Sequence, residues 1–87
     1  MTLQEILQDI HAMELEPIRF ERKYGVLSEI FYQSYVSGEE PEDSARVGDF
    51  ALWAGAYQTL QERQQQYRAL VAERDLTDIA SLFKLAA

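Results

Sequence analysis

The chain has 87 residues, 47% of them hydrophobic, and 15 acids against 8 bases leave a formal charge of −7. That size is one small domain, 1–87, close to the limit of independent stability, and the apolar content excludes general disorder. There is no cysteine, so disulfides and thiolate metal sites are excluded.

The acidity repels phosphate at long range, which disfavours nucleic acid and favours basic partners; solubility alone is the plain alternative. No apolar run approaches the length of a membrane span. The first residues, MTLQEILQDIHAM, lack a basic region and carry Glu5 and Asp9 within their apolar pattern. A secretory signal is therefore not expected, and the expected location is the cytoplasm.

Thr2 and Glu5 have capping-box spacing and predict a helix from Leu3. Apolar residues recur at Leu3, Ile6, Ile10 and Met13, with Leu7 beside them, and continue through Pro17, Phe20, Tyr24 and Leu27. Proline inside a helix removes a hydrogen bond and crowds the preceding turn, so the helix is either kinked at Pro17 or broken near Glu16. The unbroken stripe favours a kink. Gly25 supplies a left-handed stop. Glu14 and Glu21 read as helix-surface acids, and Arg19, Arg22 and Lys23 as a solvated face paired with Glu16 and Glu21.

Ser28 is the expected N-cap of the second helix, with Glu29 well placed against its dipole. Leu27, Ile30, Phe31 and Tyr35 would form its short apolar face, Tyr32 adding bulk on the other side, and Gly38 ends it. The sequence 38–48, GEEPEDSARVG, reads as a loop. Its four carboxylates lack the order of a calcium loop, so a solvated acidic loop is expected instead.

The stretch 49–74 organises the chain. It contains no proline, and Asp49 is its expected cap. Phe50, Trp53, Tyr57, Leu60, Tyr67 and Val71 form a heptad seam, with Gln64 where the pattern expects an apolar residue. Its 26 residues make a rod of about 39 Å that must be covered along one side. Ala51, Ala54, Gly55 and Ala56 let another helix approach closely. The seam either closes the core of one chain or faces a second copy. A last short helix is expected over 78–87, with Leu76, Ile79, Leu82, Phe83 and Leu85 as an apolar face. So short a helix must dock on its own domain, on a second copy or on a different protein, and Leu76, Ile79, Leu82 and Phe83 are candidates to meet a partner.

No residue pattern indicates catalysis or a cofactor. His11 is the only histidine and lies off the apolar stripe, so neither a multi-histidine metal site nor a supported Ser–His–Asp triad results. There is no phosphate-cradling glycine loop. The expectation is an all-α domain of three or four helices, a hairpin or bundle with one long helix in its C-terminal half, forming a homodimer and acting without catalysis or cofactor.

The middle of the chain resembles a known pattern. Glu21 to Gly25 read ERKYG, Ser28 and Phe31 follow, then Gly38 with Glu39, an acidic stretch, and Trp53 four residues before Tyr57. Over about residues 21–63 this is similar to small prokaryotic helical proteins that serve as antitoxins in toxin–antitoxin pairs. The chain departs from their pattern at Val26 and Leu27, where a further serine or threonine is expected, and at Pro17. The resemblance implies a non-catalytic protein that sequesters a toxin, and it assigns no site residue; the chain's acidity makes a basic toxin the expected target. A structural or adaptor helical homo-oligomer and a small DNA-associated regulator are the alternatives.

Overall fold

The computed structural model describes residues 2–73 and 83, and it is all-helical over that range. Three helices follow in order: α1 (Leu3–Tyr24), α2 (Ser28–Val36) and α3 (Ser44–Glu73).

Helix α1 begins with the expected capping box: Glu5 N–H donates to Thr2 Oγ1 at 3.1 Å, and Thr2 N–H to Glu5 Oε1 at 3.4 Å. The helix does not break at Pro17. The lost bond to the Met13 carbonyl is offset by burial of the proline ring and by the continuous apolar stripe on either side. Gly25 ends α1 in the left-handed conformation (φ 73°), its N–H reaching the Glu21 carbonyl at 2.7 Å.

Helix α2 departs from expectation at its start. Leu27 is the N-cap, Ser28 is the first helical residue, and no side chain caps the helix from the N-cap position. Its apolar face is also narrower than expected. Phe31 is buried and Tyr35 half-buried, but Leu27 and Ile30 are 64% and 53% exposed. A helix this short turns only one side to its neighbours, and Ile30 is rotated about 100° from Phe31.

Helix α3 begins at Ser44, five residues before the expected cap. The actual cap is Asp43, whose Oδ1 accepts the Ala45 N–H at 2.9 Å. Asp49 is instead inside the helix, and so is Gly48, which shortens the loop to 37–43. At 30 residues, α3 is a rod of about 45 Å.

Helices α1 and α3 form an antiparallel hairpin, because Phe20 and Tyr24 meet Trp53 whereas Ile6 and Ile10 cluster with Leu60. The core has two parts. One contains Phe20, Phe31, Trp53 and Ala54, with Tyr24, Tyr32, Tyr35 and Phe50 packed around it. The other contains Ile6, Ile10 and Leu60, flanked by Met13, Tyr57, Tyr67 and Leu70. Helix α2 packs mainly on the first part and reaches the second only where Tyr32 meets the Tyr57 ring at 5.3 Å.

Within the chain the seam packs against α1 and α2. Trp53 and Leu60 are buried, while Phe50, Tyr57, Gln64, Tyr67 and Val71 are half-buried along the same side. Of the last expected helix, Leu76, Ile79, Leu82 and Leu85 lie outside the described residues; Phe83 is 85% exposed.

Candidate functional site

The residues most densely tied together surround Trp53. Its ring stacks on Phe31 at 3.8 Å and 3°, with Phe20 and Tyr24 stacked at 5.7 and 5.8 Å. A buried indole needs a partner for its N–H, and Nε1 donates to Ser28 Oγ at 2.8 Å. The Ser28 N–H, otherwise an orphan at a helix start, donates to Glu21 Oε2 at 2.8 Å. Glu21 is thus not a free surface acid, and its carboxylate does the capping that had been expected of the Ser28 hydroxyl. A charged acceptor makes this bond stronger than a neutral one.

A second polar cluster lies at the same end. Asp49 Oδ2 accepts from Lys23 Nζ at 2.7 Å and from the Tyr24 hydroxyl at 2.6 Å. The lysine bond first, and then the phenol, hold the Asp49 carboxyl below its ordinary range. The same bonds raise Lys23 and Tyr24. Arg46 lies over the Tyr24 ring at 5.6 Å, and Arg19 pairs with Glu16 at 2.6 Å. Burial, followed by the Glu29 and Glu21 charges, raises the Tyr57 phenol.

Glu21, Tyr24, Gly25, Ser28, Phe31 and Trp53, which the sequence pattern picks out, are thereby brought together as framework. They join α1, α2 and α3, with the Glu21 carboxylate, the Tyr24 hydroxyl and the Ser28 hydroxyl each hydrogen-bonded within the fold. His11 is exposed on α1, and Ser28 is occupied by Trp53. Among the described residues, no three acid or histidine side chains are grouped to hold a metal ion.

What remains for recognition is surface. Val36, Val47 and Leu52 are 63%, 53% and 62% exposed. Val47 and Leu52 each line a concavity. A cleft of about 430 Å³ lies between the end of α2, the loop and the start of α3, lined by Tyr35, Glu39, Glu40, Pro41, Val47 and Phe50, among others. A groove of about 520 Å³ runs between α1 and α3 beside Met13, Leu52, Gly55, Ala56 and Thr59. Neither was visible in sequence, because each depends on where the loop and the two long helices come to rest.

Comparison of the chain with protein-family models, with curated proteins and with solved structures finds no match. The class that fold and surface define is an all-α hairpin braced at one end by a short helix. No helix among the described residues is long and apolar enough to cross a membrane.

Proposed function

We propose that this chain is a non-catalytic protein-binding module, the antitoxin of a toxin–antitoxin pair, acting in the cytoplasm by covering a basic toxin. The observation that supports this is the division of its apolar residues. Trp53 and Leu60 of the seam are buried in the chain's own core, yet Val36, Val47 and Leu52 stay uncovered on a protein of charge −7. Uncovered apolar side chains supply affinity, and the surrounding acids select and steer a basic partner. Such a protein needs no reacting group of its own.

The test is to express the product of the adjoining reading frame alone and together with this chain. Growth arrest by the neighbour, relieved by co-expression and accompanied by co-purification, is the expected result. A neighbour that is harmless alone defeats the proposal.

A helical homo-oligomer is the second reading, favoured by the groove beside Leu52. Gly55, Ala56 and Thr59 are small enough for the backbone of another helix to come close. Sedimentation equilibrium separates the two: a monomeric mass at micromolar concentration removes the second reading.

A further inference from the structure

We infer that the cleft between α2, the loop and α3 receives an arginine side chain from a basic partner protein. This rests on the protein-binding reading above and gives it a site.

The argument starts from the lining. Phe50 and Tyr35 are half-buried, so each ring keeps a part open, while Val47 and Ala51 are exposed and extend the apolar floor. Phe31 lies at the inner end, in contact with both rings at centroid separations of 5.0 Å to Phe50 and 5.7 Å to Tyr35. The floor therefore belongs to the aromatic core and does not have to be assembled when a ligand arrives. Glu39 and Glu40 line the rim, and neither is in an ion pair among the described residues. Pro41 and Gly38 (φ 100°) shape the turn that holds them there.

An aromatic and aliphatic floor under two unpaired carboxylates is complementary to one side-chain chemistry. The ligand must carry apolar surface along its length and a delocalised cation at its tip. Arginine has both: a methylene stem for Val47 and Ala51, and a planar guanidinium that stacks on a ring and offers a fork to carboxylate oxygens. Lysine satisfies the charge but is more strongly hydrated and lacks the fork. A volume of about 430 Å³ exceeds one side chain, so the neighbouring residue of the partner also enters, and an aliphatic one suits the floor.

The probe is a synthetic peptide alternating arginine and leucine, blocked at both ends, with a second peptide in which citrulline replaces arginine. Citrulline keeps the shape and removes the charge. Amide shifts in a two-dimensional NMR titration report the location. The expected result is movement concentrated at Tyr35, Glu39, Glu40, Val47, Phe50 and Ala51. Affinity should fall by about ten-fold or more with citrulline, and likewise in the Glu39→Gln/Glu40→Gln variant. The Glu62→Gln/Glu73→Gln variant removes the same charge from exposed positions elsewhere and should bind nearly as the parent does. Equal weakening in the two variants, or shifts spread over all acidic surfaces, overturns the inference. The two readings are separable in the growth assay. If Glu39→Gln/Glu40→Gln still relieves arrest and co-purifies as the parent chain does, the cleft is wrong and the antitoxin reading stands.

Discussion

Replacing Ser28 by alanine isolates a single buried hydrogen bond. Ser28 is 2% exposed, and its hydroxyl is the acceptor for an indole that is itself 1% exposed. Alanine fills nearly the same space, and the Ser28 N–H bond to Glu21 is untouched because it uses the backbone. What changes is that the Trp53 N–H is left buried without a partner, at a cost of about 1–3 kcal/mol. The better helix propensity of alanine returns only a few tenths of a kcal/mol, about the spread among ordinary residues. The net loss is therefore about 0.5–2.5 kcal/mol by these two estimates. In a domain of this size each kcal/mol moves Tm by about 4–8 °C, so calorimetry resolves the effect. Ser34→Ala, on the exposed side of the same helix, is the control and should stay within about 0.5 kcal/mol of the parent. Trp53→Phe removes the donor, and combining it with Ser28→Ala removes both partners. The double variant should then lose less than the two single losses added together, with a coupling of at least about 0.5 kcal/mol. An unchanged Tm for Ser28→Ala, or strictly additive losses, would refute the placement of Trp53 against α2.

Trp53→Ala empties the centre of the aromatic cluster and should destabilise by about 3–5 kcal/mol, enough to leave much of a marginal domain unfolded by circular dichroism. Asp49 has a carboxyl pKa lowered in the folded state, so the folded chain binds fewer protons than the unfolded one. Its stabilisation is complete above the ordinary carboxylate range and disappears as pH falls through the depressed folded value. Urea midpoints should accordingly place Asp49→Asn below the parent at neutral pH, with the gap closing in acid; a gap that widens in acid contradicts the pairing. At Gly25, φ is 73° and an added Cβ would meet nothing within 4 Å, so Gly25→Ala pays for conformation alone, about 1–2 kcal/mol. Gly55 is helical with the same open space, so Gly55→Ala should stabilise the monomer by up to about 1 kcal/mol. If a second copy packs on that groove, the same change would instead weaken self-association in sedimentation.

Short-range signals were the legible ones. The Thr2–Glu5 box and Gly25 act within one turn of chain, and their residue types nearly dictate their roles. The seam was legible as well, because Trp53 and Leu60 keep helical spacing whatever covers them. The beginning of α3 was not, since Asp43 and Asp49 are equally good caps by type and Gly48 between them reads as a breaker. The choice falls to tertiary contacts: Lys23 and Tyr24 occupy Asp49, and Asp43 remains to cap. The roles of Ser28 and Glu21 are illegible in sequence for a related reason. Their partners are an indole 25 residues away and a backbone amide across a turn, and neither leaves a periodic trace. The cleft was illegible because Glu39 and Glu40 take on meaning only once Phe50 and Tyr35 lie beneath them.

The division of the core into two clusters bears on how the molecule opens. Ile6, Ile10 and Leu60 lie between α1 and α3, and the Tyr32–Tyr57 ring contact is what ties α2 to that end. Amide protons along that half should exchange with deuterium by local fraying, at a free energy well below global unfolding, while those around Phe31 and Trp53 wait for the whole chain to come apart. A partner that clasps the free half would slow its exchange selectively, which makes the isotope pattern a map of where the molecule is held.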